Sequence, residues 1–164
     1  MNKIKVSAVS YTNTKPFVYG LTHSEISKRI DLSLDIPSIC ASKLINNQVD
    51  IGLVPVAALL QISDYQIISD YCIGASGAVN SVFIFSNTPI EKVKVLHLDS
   101  QSRTSNNLAK VLLKNYWELN PAFIDQEKDY LAEMQAFVEI GDRTFGKHDQ
   151  YPYVYDLAEI WQKQ

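Results

Sequence analysis

VKVLHLDSQSRTSNN, residues 93 to 107, opens on apolar residues and then turns wholly polar. Val93, Val95, Leu96 and Leu98 read as a strand. The following LAKVLLKNYWEL places Leu108, Val111, Leu112 and Tyr116 at helical spacing, which predicts a helix over about residues 104 to 119 with a stop at Pro121. Strand, polar turn and helix in that order are the working unit of α/β folds. Between Asp99 and Asn107 stand three serines, a threonine and an arginine. They sit at a helix N-terminus, where backbone N–H groups point outward and favour an anion. Capping needs only one side chain, from Ser102 or Thr104. The surplus reads either as a generous cap or as an anion site.

Outward from this stretch the same alternation continues. Ile4 to Val9 reads as a buried strand, Lys15 to Leu21 as a short helix stopped near Gly20, and Leu32 to Ile36 as a strand. Pro37 and Ser38 open a helix through about Asn46, and Val49 to Val54 forms a strand after which Pro55 can start a helix. Tyr65 to Ile73 and Ser81 to Phe85 are further strand candidates. GASGAVN between them is a small-residue segment suited to close backbone approach. AFVEIGDR reads as strand then turn, and YDLAEIWQKQ as a closing helix. SNTPIEK, residues 86 to 92, is the best lobe boundary, giving a first α/β lobe over 1–88 and a second over 89–164.

The 164 residues, 46% of them hydrophobic, suffice for one domain or two small lobes. A net charge of −3 and a pI near 5.6 argue against nucleic-acid or anionic-membrane partners, so an anionic ligand must meet local positive charge. The start, MNKIKVSAVS, lacks the apolar length of a signal peptide, and no run approaches membrane-spanning length, so a cytoplasmic protein is expected. Cys40 and Cys72 show no ligand spacing and read as buried reduced thiols. His23, His97 and His148 are scattered. Neither a metal nor a cofactor is expected.

In open α/β sheets ligands sit beyond the carboxyl ends of strands. The first strand ends in SYTNTKPF, a row of Ser10, Tyr11, Thr12, Asn13, Thr14 and Lys15. DIGLV ends at Pro55 with almost nothing polar. GASGAVNS adds backbone N–H groups with Asn80 and Ser81, and the stretch quoted first adds Ser102, Arg103, Thr104 and Ser105. The chain has three arginines, Arg29, Arg103 and Arg143, two of them in strand-end turns. A guanidinium can bind a carboxylate through two parallel hydrogen bonds, which makes Arg103 the first candidate for ligand charge. Arg143 adjoins Asp142 and reads equally well as a paired turn residue.

The runs VSAVSYTNTKPFVYGL, DIPSICASKL, VDIGLVPVAAL, ISDYCIGASGAVNSV, LDSQSRTS and VEIGDR, in this order, resemble the chorismate dehydratase family of the futalosine route to menaquinone. The match runs from Lys5 to about Trp161. The sister family of dihydroxynaphthoate synthases usually opens with a different first-strand motif, so SYTNTKP favours the dehydratase. The resemblance implies an α/β, two-lobed fold similar to type II periplasmic binding proteins, with the ligand cleft between the lobes. It implies loss of water from chorismate to leave 3-[(1-carboxyvinyl)oxy]benzoate. Family chains continue past the DLAEIW helix with a segment returning to the first lobe, whereas this chain stops at Gln164. A C-terminally shortened member, lacking that return segment, is therefore expected.

The resemblance further implies catalytic roles for Asn13 and Ser81, and substrate contacts from Ser10, Tyr11, Asn80, Ser102, Arg103, Thr104, Ser105 and Asp142. From the residues alone, Asn13 reads equally as a cap beside Thr14, and Ser81 as a strand residue facing solvent. Lys15, Asp99 and Asp142 are the ionisable groups near strand ends, and none has an obvious partner in sequence to shift its pKa. The expectation is that the substrate's enolpyruvyl carboxylate takes the C3 proton. A transporter's solute-binding protein should carry a secretory signal, and a transcription regulator's effector half should follow a DNA-binding module. The alternative retained is a truncated, non-catalytic binding protein for a small carboxylated ring compound.

Overall fold

The computed structural model describes residues 3–125 and 135–164, which fall into two compact units, Met1–Ile73 and Gly74–Gln164. The first unit holds β1 (Ile4–Val9), α1 (Lys15–Thr22), β2 (Ile30–Asp35), α2 (Pro37–Ile45) and β3 (Ile51–Gly52), followed by a 3-10 turn over Val56–Gln61. Its three strands are parallel in the order β2-β1-β3, with Ile4 opposite Ile30 and Val6 opposite Ile51. Pro stands in the first turn of both helices, where its missing N–H costs nothing. The core is made mostly of small side chains: Val6, Ala8 and Val9 of β1, Cys40 and Ala41 of α2, and Ala58, with Ile30 of β2. A Cβ added at Gly52 would meet Val54 Cγ1 at 3.0 Å and Leu44 Cδ2 at 3.2 Å, so the absent side chain is what lets α2 lie close to β3.

The second unit holds β4 (Val82–Ser86), β5 (Val95–Leu98), α3 (Arg103–Asn115), β6 (Ala122–Asp125), β7 (Ala136–Ile140), β8 (Tyr153–Asp156) and α4 (Leu157–Gln162). The sheet order is β6-β5-β7-β4-β8, with β5 parallel to β6 and β7, and β4 antiparallel to β7 and β8. Alternation along the central strands divides the core. Ile84, Ala136 and Val138 join Leu112, Leu113, Leu157 and Ile160 in one cluster, while Phe83, Phe85 and Phe137 pack with Tyr151 and Val154 in the other. β7 is buried along its whole length, as a strand covered on both faces must be.

The α/β class and most elements agree with the sequence reading, and three differences have physical causes. First, the units divide after Ile73 instead of at 88/89, because β4 is hydrogen-bonded on both edges to strands of the second unit. Second, Tyr65 to Ile73 is not a strand. It pairs with no strand among the described residues, and Ile67, Ile68 and Tyr71 are exposed. Cys72 in the same run is exposed, unlike the buried Cys40. Third, two short strands, β6 and β8, were hidden in the sequence by their length and by their closeness to Pro121 and to the closing helix.

Candidate functional site

Each unit contains the same switch in strand order. In the first, β1 has its successor β2 on one side and β3 on the other; in the second, β5 has β6 on one side and β7 on the other. The chain leaves β1 or β5 for the neighbour on one side and the next strand lies on the other, and such a switch point opens a crevice at the carboxyl ends of the strands. After β1 this position holds Ser10, Tyr11 and Asn13. After β5 and β7 it holds Ser102 to Ser105 and Gly141 to Arg143. β4 runs antiparallel to β7, so Asn80 and Ser81 at its start lie at that same end of the sheet.

In the first unit, Ser10 donates its N–H to the Asp35 carbonyl at 2.9 Å, and the Tyr11 carbonyl accepts from Thr14 N–H at 3.0 Å. These bonds turn the chain from β1 into α1. Asn13 is exposed, and its side-chain oxygen accepts from the Thr14 hydroxyl at 3.4 Å. Asn13 therefore does not cap α1; Thr14 stands at the cap, without a side-chain capping bond. Beneath β1 and β2 lies a cluster the sequence reading missed. One Asp35 oxygen accepts from the hydroxyls of Ser7 and Ser33, each at 2.8 Å, and from Lys43 at 2.5 Å. Burial alone would push the Asp35 carboxyl up, but the bonds from Lys43, Ser33 and Ser7 and the Lys43 charge hold it below the usual carboxylate range. Burial pushes the Cys40 thiol up, as suits a packing residue.

In the second unit the polar stretch after β5 largely holds itself together. The Ser102 hydroxyl accepts from Ser105 N–H at 3.1 Å, capping α3, and donates to the Ser105 hydroxyl at 2.9 Å. The Asn106 amide oxygen accepts from Asp99 N–H at 2.9 Å while its NH₂ donates to the Asp99 carbonyl at 2.8 Å. So Ser102, Ser105 and Asn106 build the turn. Arg103 and Thr104 open the first turn of the thirteen-residue helix, and the Thr104 hydroxyl is buried without a hydrogen-bond partner among the described residues.

Two buried carboxylates tie the loops at this sheet end. Asp99, 1% exposed, accepts from Gln101 N–H at 2.8 Å, from Ile140 N–H at 3.1 Å and from the Arg143 guanidinium. Arg143 thus pairs with Asp99, linking the end of β5 to the turn after β7. With its oxygens so engaged, Asp99 joins its own turn to the end of β7 and the turn that follows. Asp156 accepts from Val79 N–H at 3.0 Å and Asn80 N–H at 2.7 Å with one oxygen, and from Ala158 and Glu159 N–H with the other. Gly141 N–H donates to the Ser81 carbonyl at 2.8 Å.

Asn80, Ser81, Ser102 to Ser105 and Asp142 are therefore gathered at one sheet end of the second unit, with Asp142 exposed in its turn. Ser10, Tyr11 and Asn13 form their own group in the first. Sequence reasoning missed Asp156, although DLAE carries the acid-x-x-Glu pattern of a helix start. It also missed buried Glu139, whose two oxygens each accept from Lys147 at 2.8 Å. Glu139 alternates with Phe137 on the aromatic face, where burial and then its charge push the Tyr151 hydroxyl up.

Comparison with known proteins places the chain. No curated protein sequence matches it significantly. Protein AF1704 from Archaeoglobus fulgidus shares the fold with a TM-score of 0.67 at 16% identity, over 98% of this chain and 61% of that one. The chain thus spans about three fifths of that protein's length. A cysteine-binding protein from Campylobacter jejuni aligns with a TM-score of 0.41 at 12% identity, over 84% of this chain and 63% of that one. A family model described as menaquinone biosynthesis matches residues 4–164. On that match, which runs through both units and all the strand-end turns described above, the chain belongs to the menaquinone biosynthesis family.

Proposed function

We propose that the chain acts in the cytoplasm as a chorismate dehydratase of the futalosine route, a hydro-lyase converting chorismate to 3-[(1-carboxyvinyl)oxy]benzoate. The observation that carries this reading is that the strand-order switch of each unit bears hydroxyl and amide side chains, accompanied in the second unit by a helix N-terminus that bears Arg103. Chorismate is a dicarboxylate with a leaving hydroxyl. A guanidinium and a helix N-terminus suit one carboxylate, and the buried Thr104 hydroxyl suits a further acceptor. Ser10, Tyr11 and Asn80 serve as additional polar contacts.

In the reaction the C3–H and C4–O bonds break, the ring becomes aromatic, and one water leaves. The engagement of Asp99 with Arg143 and two N–H groups removes it from the candidate bases. That favours the substrate's enolpyruvyl carboxylate as the proton acceptor, with Asn13 and Ser81 orienting the substrate and assisting the departing hydroxide. Aromatisation drives the step, so the protein's task is placement.

The test is incubation of the purified chain with chorismate, following loss of one water by mass. Asn13→Ala and Ser81→Ala are each expected to slow turnover by about 10- to 100-fold through lost orientation. Turnover that vanishes in Asp142→Asn, with ligand binding retained, would make Asp142 the general base instead. Chorismate binding without turnover by the unmutated chain would support a non-catalytic carboxylate-binding protein.

A further inference from the structure

We propose that Asp156 is a positioning residue that sets the direction of the Ser81 side chain; this rests on the reading of Ser81 as a substrate-orienting group. Asp156 ends β8 and is 6% exposed. Its Oδ1 accepts from Ala158 N–H at 2.9 Å and Glu159 N–H at 3.1 Å, which is all that a helix cap requires. Its Oδ2 makes two bonds no cap needs. It accepts the consecutive N–H groups of Val79 at 3.0 Å and Asn80 at 2.7 Å, from a segment 76 or more residues earlier in the chain.

Two successive N–H groups can converge on one oxygen only where the chain curls, and Asn80 sits at φ 53°, in the left-handed region. Side chains rarely adopt that conformation unless their surroundings hold it, and asparagine tolerates it better than most. Ser81 follows directly. Its carbonyl accepts from Gly141 N–H at 2.8 Å, and Gly141 itself lies at φ 67°. Beyond it, β4 enters the sheet with Val82 opposite Ile140 and Phe83 opposite Asp156. Ser81 is thus fixed from the front by Asp156 and from behind by the sheet. A carboxylate is suited to the front hold, because charge-assisted bonds exceed those of a neutral acceptor. The same residue that starts the last helix therefore shapes the corner from which Ser81 projects.

Asp156→Asn and Asp156→Ser separate the two roles. Both residues are good caps, so α4 is retained, but Asn turns an NH₂ toward Val79 and Asn80, and Ser leaves them without the second acceptor. In each variant, kcat with chorismate is expected to fall about 10- to 100-fold. KM is expected to stay within about threefold. Amide hydrogen exchange is expected to quicken at Val79 and Asn80 and to stay unchanged at Ala158 and Glu159. If the unmutated chain turns chorismate over and the variants match it, or lose only in KM, the positioning role is overturned while the proposed activity stands. If the unmutated chain converts no chorismate, the proposed activity falls, and exchange decides the role of Asp156. Faster exchange confined to residues 79 and 80 then supports the hold on this corner; unchanged exchange refutes it.

Discussion

In the second unit the sheet is covered on both faces, by Leu112, Leu113 and Leu157 on one and by Phe85, Phe137 and Tyr151 on the other. In the first, β1 packs against α2 with its buried Cys40 and Ala41, with the charged Ser7–Ser33–Asp35–Lys43 cluster close by, and Val56, Leu60, Ile67 and Ile68 stay exposed. The strand-order switch is common to both; what fills it is not. Burial of apolar surface stabilises by roughly 25 cal/mol per Å², so aromatic and leucine clusters outweigh one of alanine, valine and cysteine. The second unit is expected to be the stable platform, with its loops locked by Asp99 and Asp156. The first is expected to be the softer partner.

The hardest test of that contrast is Phe137→Ala, expected to cost the second unit about 3–5 kcal/mol by opening a cavity in a fully buried aromatic cluster. Both tryptophans, Trp117 and Trp161, lie in the second unit, so their fluorescence in urea reads that unit by itself. Val6→Ala should lower the far-UV circular-dichroism transition by less and leave the fluorescence midpoint in place. A single transition that Val6→Ala shifts by both probes would break the contrast, since the units would then unfold as one.

Next in size is Asp99→Ala, expected to cost about 3 kcal/mol, because it leaves a partly buried guanidinium and the N–H groups of Ile140 and Gln101 without their acceptor. Its effect belongs in the fluorescence transition. A loss below about 0.5 kcal/mol, the scale of ordinary surface changes, would mean that the ion pair does not lock the second unit.

At the ligand end, Arg103→Ala is expected to weaken chorismate binding about tenfold, or 1.4 kcal/mol. Arg143→Ala should weaken it less, because Arg143 is already committed to Asp99. Isothermal titration would decide, and equal losses would contradict the ranking.

The smallest expected effect is in the first unit. Lys43→Met removes the bond of a partly exposed lysine to Asp35 and should cost about 1 kcal/mol near neutral pH. The folded Asp35 pKa lies below its unfolded value, so its stabilisation is complete above about pH 3.9 and is lost as pH falls through the folded value. The variant should therefore show a shallower acid loss in amide exchange of β1 and β2. An acid limb identical to that of the unmutated chain would show that the Lys43 bond to Asp35 is not what stabilises this cluster.

The elements most legible in the sequence are those with local signals. Ile4–Val9 reads as a strand from its apolar run, Pro37 marks a helix start, and Ser102 sits at the cap of α3. Tyr65 to Ile73 carried an equally good strand pattern and failed, because a strand exists only where a neighbouring edge accepts its hydrogen bonds. The candidate site residues stand in strand-end polar rows that the sequence displays directly. Their holders were not: Asp156 lies 76 residues from Asn80, and Asp99 lies 44 from Arg143.

Sequence by itself determined the α/β class, the polar turns that follow β1 and β5, and the resemblance that pointed to menaquinone biosynthesis, since each depends on periodicity, capping chemistry or short ordered runs. Tertiary structure alone decided that β4 belongs with the second unit, that strand order switches at β1 in one unit and at β5 in the other, and that Asp99 and Asp156 bond the loops at their sheet end. The reason is physical. A carboxylate's role is set by which N–H groups and cations reach its two oxygens, and those partners come from chain segments that only folding brings within hydrogen-bond distance.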